Sequence, residues 1–545
     1  MTSSTHWPKH FFLISGNNTD HHFNHKPSRE SMGTKAYNLL RMAEIGLQVP
    51  PALVIGTDFS QRPEECFKPL FDIGLPALQN VAGEVFGDIR NPLIVSVRSG
   101  ASVSMPGMME TILNVGISDA TLSGFLRKTG NPRLVWDAYR HLVACYGEVV
   151  SGVPASLFEN EIAIIAQGRD ERELDFSELR ALTKRFLIVY QEQVGQPFPQ
   201  DVHVQLIGAI HAVFASWMSD KADTYRQLNK IDAAIGTAVT IQSMAFGNSG
   251  AHSGAGVGFT RDPTTGEQGL WVDFLGNAQG EDVVSGRRNA DAHQGLATVA
   301  PAAWQKLQEA AQALEQEFSD MQDFEFTVQD GVLYMLQSRS GKRTPLACAR
   351  IALDLLDENI IDAATALQRT EQLKEEEIGT IRLSPQHKTS SDIAPLAKAA
   401  SACPGVVSGK IVLDAQSAAE HAKGGVSTIL VRQDAETSDI AALDSAAGLL
   451  TERGARTSHA AVVARQLGKV CLVGCDTLHI DMTARTVSFA ETTLHEGDII
   501  TLDGNEGVIY HGKVAAVLIP DEALLKRLRA LRKSAGAGHH GRREK

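Results

Sequence analysis

Hydrophobic and polar positions change their spacing along the chain and divide it into regions of different character. Between residues 26 and about 115, short apolar runs such as residues 92–97 alternate with glycine and proline, which predicts mixed α/β structure. From residue 116 to about 230, apolar residues recur at helical spacing, as at Leu134, Tyr139 and Leu142. This second pattern predicts a bundle of helices inserted into the α/β region.

Strand-like patterns return between residues 236 and 339. Residues 238–241 predict one strand, and apolar runs at residues 324–328 and 332–336 flank Asp330 and Gly331. Two such runs around an Asp-Gly turn predict a β-hairpin. Residues 346–400 are rich in alanine, leucine, glutamate and lysine, and this composition predicts a helical connector.

A second α/β unit extends from about Cys403 to Val517. Its strands are predicted at residues 426–431, 448–450, 470–473 and 499–502. After Asp521 an amphipathic helix leads into a basic tail, which we expect to fray. The whole pattern predicts an α/β protein of several domains.

Composition narrows the class of protein. The 545 residues are 43% hydrophobic and 21% charged, which is typical of a soluble globular protein, and the net charge of −13 argues against nucleic-acid binding. No apolar run approaches the ~20 residues of a membrane helix, and the histidine-rich N-terminus lacks the order of a secretory signal. The six cysteines are scattered and are interpreted as core thiols, so we expect a cytoplasmic protein without a membrane partner.

The segment from Thr451 to Arg465 carries the clearest chemistry. A glycine turn at Gly454 leads to Thr457, Ser458 and His459, and an alanine-rich stretch follows. This order predicts that His459 lies at the N-terminus of a helix, where free N–H groups and the helix dipole favour an anion. A histidine taken alone is usually structural, but this setting favours an imidazole that accepts and passes on a phosphoryl group.

The run Thr-Ser-His-Ala-Ala-Val-Val-Ala-Arg resembles the phosphohistidine signature of the phosphoenolpyruvate-utilising enzymes, and residues 403–410 resemble the entry to their swivelling domain. Residues 96–111, Ser-Val-Arg-Ser-Gly-Ala-Ser-Val-Ser-Met-Pro-Gly-Met-Met-Glu-Thr, are similar to the ATP-domain signature of the pyruvate, phosphate dikinase family. Further similar runs lie at residues 236–244, 259–267, 277–284, 321–327 and 336–344. The resemblance covers nearly all of residues 30 to 515.

The resemblance implies a fold as well as an activity. It implies an ATP-grasp nucleotide-binding domain with a helical insertion, followed by a swivelling β/α phosphohistidine domain. The expected boundaries are an N-terminal extension at residues 1–29, the ATP-grasp domain at 30–345 with its insertion at about 116–230, the connector at 346–400, the phosphohistidine domain at 401–517, and a helix and basic tail at 518–545.

The resemblance also implies site residues, and their charges suit the implied roles. Lys35 and Arg98 would hold the triphosphate of ATP, and Arg339 would clamp the phosphate in transfer. Glu325 and Gln337 would supply hard oxygen ligands to Mg²⁺ from neighbouring strands. Beside them, Asp323 lies one pleat from Glu325 on the same face and would belong to the nucleotide site, while Thr457 would assist His459 in catalysis.

Alternatives remain for residues taken singly. The alternative for Lys35 is a solvated lysine, for Arg98 a helix-capping partner and for Glu325 a member of an ion pair, but the surrounding matched runs favour the site roles for all three. Gln242 and Met244 are candidates for the adenine pocket, and a role in a core strand is an equal alternative for both.

The chain departs from the family pattern at three places. The family loop Gly-Gly-Lys-Gly-Ala-Asn reads Gly-Thr-Lys-Ala-Tyr-Asn at residues 33–38, which removes two glycines from a phosphate-covering turn. The histidine loop has Ala455 and Arg456 where the family has Gly-Met. The family enzyme also continues into a pyruvate-binding barrel, which is not expected within these 545 residues.

These observations predict an ATP-dependent, pyruvate, phosphate dikinase-like phosphotransferase that uses Mg²⁺. It would move a phosphoryl group from ATP, with inorganic phosphate as co-substrate, to His459 and on to an acceptor. The acceptor would be pyruvate if a separate barrel protein is the partner, and otherwise a different small molecule or a protein. The alternative hypothesis is a regulatory protein that binds nucleotide without turnover.

Overall fold

The computed structural model describes residues 7–16, 24–103, 105, 108–169, 171–284, 291–384, 395–434, 440–454, 461, 464 and 467–540. The chain divides into two compact units. Unit 1 comprises Met1–Gly250 and Val328–Ser338, and unit 2 comprises Ala251–Thr327 and Arg339–Lys545. Each unit has its own sheets and its own hydrophobic core. The structure is therefore the mixed α/β, multidomain fold that the sequence predicts.

Unit 1 contains an antiparallel sheet of five strands in the order β1-β2-β5-β3-β4. The strands are β1 (Phe11–Ile14), β2 (Ala52–Ile55), β3 (Val95–Gly100), β4 (Thr111–Val115) and β5 (Ala238–Ser243). All four residues of β1 are buried, so part of the segment before residue 30 is built into the sheet. The strand predicted at residues 238–241 is confirmed as β5.

The described part of unit 1 also contains helices. They are α1 (Arg29–Met32), α2 (Thr34–Glu44), α3 (Glu64–Pro69), α4 (Leu75–Ala82), α5 (Leu122–Thr129), α6 (Pro132–Ser151), α7 (Ala155–Ala166), α8 (Phe176–Val194), α9 (Val202–Ser216) and α10 (Asp220–Asn229). The predicted helical insertion is thus confirmed as α5 to α10. Asn131 caps α6 and Asp175 caps α8 through side-chain bonds to free backbone N–H groups, which is why those helices begin there.

Among the described residues, one helical stretch, Val202–Gln227, is long and apolar enough to cross a membrane, and 50% of its apolar 18-residue part is buried inside the structure. Its residues Leu206, Ile210 and Val213 are fully buried in the core of unit 1. Burial in that core accounts for the apolar character of the stretch.

The first sheet of unit 2 has the order β10-β9-β6-β7-β8, although residues 332–338 of β10 are counted with unit 1. The elements are β6 (Gly254–Arg261), β7 (Gln268–Gly276), α11 (Gly280–Val284), β8 (Asp291–Ala292), α12 (His293–Val299), α13 (Pro301–Phe318), β9 (Gln322–Gln329) and β10 (Val332–Ser340). Asp330 and Gly331 both have positive φ, 50° and 80°, as a two-residue hairpin turn requires. The predicted hairpin is confirmed, and its tip is counted with unit 1.

The helical connector predicted at residues 346–400 is helical only in its first part. Helices α14 (Pro345–Asp357) and α15 (Ala363–Thr370) are followed by strand β11 (Gly379–Leu383), so the prediction is wrong beyond Thr370. The strand forms because β11 pairs antiparallel with β23 (Ala516–Pro520), more than 130 residues further along the chain. Local composition does not reveal a partner at that distance.

The second α/β module of unit 2 contains an eight-stranded sheet and a three-stranded sheet. The larger sheet has the order β12-β22-β21-β14-β15-β16-β17-β13. The elements are β12 (Pro395–Lys398), β13 (Ala400–Cys403), β14 (Val406–Val412), α16 (Ala415–Lys423), β15 (Thr428–Arg432), α17 (Ile440–Ser445), β16 (Gly448–Thr451), β17 (Val470–Val473), β18 (Leu478–Asp481), β19 (Thr486–Phe489), β20 (Thr492–His495), β21 (Ile499–Asp503) and β22 (Val508–His511). The four predicted strands are confirmed as β15, β16, β17 and β21.

The last helix, α18 (Glu522–His540), returns to the connector helices of unit 2. Leu524, Leu525, Leu528 and Leu531 are buried in one cluster with residues of α14, such as Ile351. Arg527 of α18 forms ion pairs with Asp354 and Asp357 at 2.8 Å each. The module between β11 and β23 is therefore joined at both of its ends to one base of packed helices.

A buried carboxylate ties the connector to the first sheet of unit 2. Asp320 accepts two 2.7 Å hydrogen bonds from Arg343 and one of 2.8 Å from Ser340, and Arg369 of α15 lies 3.3 Å away. Burial raises the pKa of Asp320, but the guanidinium of Arg343 outweighs burial and holds this pKa below its ordinary value. Because the pKa is lower in the folded state, the carboxylate stabilises the fold at neutral pH.

We predict that Asp320→Asn lowers the free energy of unfolding by about 3 kcal/mol at pH 7, because it leaves buried guanidinium groups without their counter-charge. Stability from a depressed pKa is present above the unfolded value of about 4 and is lost as pH falls through the folded value. Urea unfolding followed by circular dichroism at pH 7 and below pH 4 measures the difference, which should shrink in acid. Glu309→Gln, an exposed carboxylate of α13, is the control. An equal loss in both variants would contradict the assignment.

Candidate functional site

Lys35 lies in the first turn of α2, directly after a close contact between two backbones. Gly33 precedes the helix with φ 76°, and a Cβ atom built on it would lie 2.2 Å from the carbonyl oxygen of Gly100 at the end of β3. Only glycine fits this approach. The segment that carries Lys35 is therefore seated directly on the strand that carries Arg98.

Arg98 is oriented by the neighbouring strand. Its Nη1 donates to Oε1 of Gln242 at 3.4 Å, and β3 and β5 pair so that Ser96 lies opposite Gln242. The amide of Gln242 also donates to the carbonyl of Pro50 at 3.3 Å, and the residue is almost fully buried. Gln242 thus acts within the sheet as a support for Arg98.

Met244 follows the end of β5 and packs against the core of unit 1. Its N–H donates to the carbonyl of Ile94 at 2.9 Å. For Gln242 and Met244, the sequence left two equal alternatives, a place in the adenine pocket or a role in a core strand. The contacts of both residues correspond to the core-strand alternative, and adenine binding stays a prediction.

Gln337 lies on β10 and is buried. The next residue, Ser338, accepts a hydrogen bond of 2.7 Å at its carbonyl from Nδ2 of Asn38 in α2. The N–H of Met335 donates to the carbonyl of Gln48 at 2.8 Å. Within unit 1, the helix with Lys35 and the strand with Gln337 are therefore bonded to each other. Asn38 belongs to residues 33–38, which resemble the family loop, but its hydrogen bond to residue 338 was not predictable from the sequence.

In unit 2, Asp323 and Glu325 lie two residues apart on β9, and Arg339 forms an ion pair with Asp323. Nε of Arg339 donates to Oδ2 of Asp323 at 2.7 Å. The charge of Asp323 raises the pKa of the Arg339 guanidinium, burial opposes this, and the charge of Glu325 raises it further. The guanidinium is therefore held by its inner edge and carries a full positive charge.

Mg²⁺ prefers oxygen ligands and commonly keeps several waters, so one or two protein side chains beside substrate phosphates are enough to hold it. Among the described residues, no group of three or more His, Cys, Asp or Glu side chains is placed to hold a metal ion. The carboxylate of Glu325 and the amide oxygen of Gln337 are oxygen ligands of the kind that Mg²⁺ prefers.

His459 and Thr457 lie outside the described residues, as do Ala455, Arg456 and Ser458. Strand β16, which precedes these residues in the chain, is parallel to its neighbours β15 and β17. Ligand sites in α/β sheets commonly lie beyond the carboxyl ends of parallel strands. Further along the chain, Ala461 and Ala464 are helical and fully buried in one cluster with Leu449 of β16.

Two family models match the chain. "Pyruvate phosphate dikinase, AMP/ATP-binding domain" matches residues 77–298, and "PEP-utilising enzyme, mobile domain" matches residues 425–507. Arg98, Gln242 and Met244 lie in the first match, and His459 lies in the second.

Curated relatives agree with these matches. The chain is 40% identical over 498 residues to pyruvate, phosphate dikinase of Clostridium symbiosum, which covers 89% of this chain and 57% of the relative. The corresponding enzyme of Rhizobium meliloti is 39% identical over 509 residues, covering 89% and 56%. The chloroplastic enzyme of Flaveria pringlei is 40% identical over 500 residues, covering 90% and 52%. The chain thus spans somewhat more than half the length of these relatives, and over that span it belongs to the pyruvate, phosphate dikinase family, with its AMP/ATP-binding domain and mobile domain.

Proposed function

We propose that these 545 residues catalyse the loading of a phosphoryl group from ATP onto His459. In the dikinase pattern, His459 receives the β-phosphoryl group, the γ-phosphate joins inorganic phosphate as pyrophosphate, and AMP remains. The observation that carries the proposal is the seating of Lys35 and Arg98 on two segments in direct backbone contact, within a chain that has the family's nucleotide-binding and mobile domains.

The first proposed step is the binding of the triphosphate. Phosphoryl transfer depends on positioning and on neutralising charge rather than on covalent chemistry by the protein. Lys35 offers a compact ammonium group, and Arg98 offers a planar guanidinium that is already oriented by Gln242. Preorganised cations need no rearrangement when charge develops on the phosphates, and this is the support for their role.

Arg339 is proposed to clamp the phosphoryl group in transfer. Asp323 holds it through Nε at 2.7 Å, which fixes the plane of the guanidinium and keeps the Nη groups for an anion. Arg339 is partly buried, with 32% of its side chain exposed, and burial strengthens its attraction for phosphate. Asp323 is thus proposed to be a positioning residue.

Mg²⁺, when bound with ATP, would shield the charge of the β- and γ-phosphates. Glu325 and Gln337 are the residues proposed to hold it, because their oxygen donors suit this ion. Gln242 and Met244 are proposed to border the adenine, and Thr457 to donate its hydroxyl to the phosphate beside His459.

The phosphate on His459 is proposed to pass to an acceptor bound outside these 545 residues. The two matched models describe an AMP/ATP-binding domain and a mobile domain, and a mobile histidine domain needs a second site to visit. The acceptor is proposed to be pyruvate where a pyruvate-binding barrel is the partner, and a different small molecule or protein otherwise. The two-stranded connection of β11 and β23 provides two adjacent tethers for the module that contains residue 459.

We predict that Mg²⁺ and ATP labelled at the β-phosphate give a phosphoprotein that is labile in acid and stable in base, and that inorganic phosphate enhances labelling. His459→Asn should abolish the label, because the accepting nitrogen is removed. Autoradiography after acid and base treatment is the measurement. ATP binding without label would favour a regulatory protein, and label from the γ-position alone would exclude the proposed route.

Arg98→Ala and Glu325→Gln should each lower the rate of labelling by at least about 10²-fold, because each removes charge from the proposed triphosphate and metal sites. Arg90→Ala and Glu309→Gln, two exposed residues, are the matched controls and should label at the wild-type rate. Circular dichroism of all four variants should be unchanged. Unfolding of the Arg98 or Glu325 variant would instead assign that residue a structural role.

A polypeptide of these 545 residues should label His459 but should not interconvert pyruvate and phosphoenolpyruvate above background. Enolate chemistry needs a metal and a proton-transfer group beside the phosphohistidine. The residues proposed for the nucleotide site act in the transfer of phosphate from ATP to His459, so they do not supply this second site. A coupled assay for phosphoenolpyruvate, with and without an added pyruvate-binding barrel protein, is the measurement. Turnover by the polypeptide alone would show that the acceptor site lies within it.

A further inference from the structure

Thr34 stands at the junction between the two segments that carry Lys35 and Arg98. Its N–H donates to the carbonyl of Ala101 at 2.9 Å, and its Oγ1 donates to the carbonyl of Ser102 at 2.7 Å. Lys35 is the next residue after Thr34. Arg98 lies on β3, three residues before Ala101, which directly follows the strand. One side chain and one amide therefore join the start of α2 to the end of β3.

Two further neutral contacts lie at this junction. Gly33 lies against Gly100, and the N–H of Gly100 donates to Oγ1 of Thr237 at 3.2 Å. Together with the hydrogen bonds of Thr34, these contacts join the two segments that carry the cations.

The segment that follows β3 is fastened again at its far end. The N–H of Glu110 donates to Oγ of Ser216 at 3.3 Å, and the carboxylate of Glu110 pairs with Lys221 at 2.5 Å. Met108 packs in a buried cluster with Trp217. The contacts of Thr34 are therefore the near anchor of a segment that α9 and α10 hold at the other end.

Position 34 is one of the places where the chain departs from the glycine of the family loop. Glycine has no hydroxyl and gives the backbone more freedom, whereas threonine adds a donor on a stiff, β-branched side chain. We propose that Thr34 is a positioning residue that fixes the spacing of Lys35 and Arg98 for the triphosphate of ATP. This inference rests on the proposed function.

The test compares Thr34→Val, which keeps the shape and removes the hydroxyl, with Thr34→Ser, which keeps the hydroxyl. Thr183→Val is the matched control, because the Thr183 hydroxyl donates to the carbonyl of Leu179 at 2.8 Å and lies 3.2 Å from that of Trp136 within the helical insertion. The Kd for ATP with Mg²⁺ is measured by calorimetry on the full chain, and the rate of β-phosphate labelling of His459 is measured against ATP concentration.

Thr34→Val should raise the Kd and the half-saturating ATP concentration roughly three- to tenfold, as loss of one neutral hydrogen bond allows, with the maximal labelling rate within about twofold. Thr34→Ser should restore both values to within about twofold of wild type. Thr183→Val should lower the melting temperature and leave the Kd unchanged.

Three results would overturn the inference and leave the proposed function standing. These are a wild-type Kd in Thr34→Val, an equal defect in Thr34→Ser, or an equal defect in Thr183→Val, each with normal labelling by the wild-type chain. A wild-type chain that neither binds ATP nor labels His459 would overturn the proposed function and this inference together.

Discussion

The proposed chemistry depends on the neutral contacts that join the segments of Lys35 and Arg98 in unit 1. These contacts are the close approach of the Gly33 and Gly100 backbones and the hydrogen bonds of Thr34. Gln242 orients the guanidinium from the adjoining strand. A site assembled this way would meet a triphosphate with its cations already in place, so ATP binding would need little reorganisation of the protein.

In unit 2, arginine side chains are oriented by ion pairs with carboxylates. Asp323 orients Arg339, and Asp320 holds Arg343 and Arg369 close to the base of the connector. A buried ion pair adds little net stability compared with apolar packing, but removal of one partner is costly. These carboxylates are therefore better understood as fixing the geometry of arginine side chains and of connector helices than as a general source of stability.

The sequence predicted the fold wherever the signal is local. The turn at Asp330 and Gly331, the helical insertion and the strands of the second α/β module follow from turn residues and periodicity. The prediction of a helical connector was wrong beyond residue 370, because β11 forms by pairing with β23, which lies far along the chain.

The candidate site divides in the same way. Motif resemblance named residues such as Arg98 and Arg339, but spacing did not reveal that Gln242 supports Arg98 or that Asp323 grips Arg339. In the sequence, Thr34 indicated only the loss of a glycine. Its hydrogen bond was not predictable, because the accepting carbonyl of Ser102 is 68 residues away. Domain boundaries and the roles of His459 and Thr457 stay predictions.

The proposed function requires that ATP phosphorylates His459 through the dikinase route. This is tested by a single-turnover reaction of the 545-residue chain with Mg²⁺, inorganic phosphate and limiting ATP, with nucleotides quantified by chromatography and the modified residue mapped by mass spectrometry under alkaline conditions. We expect AMP, pyrophosphate and phosphate on His459 in equal amounts. Formation of ADP, or AMP with an unmodified His459, would exclude the dikinase route.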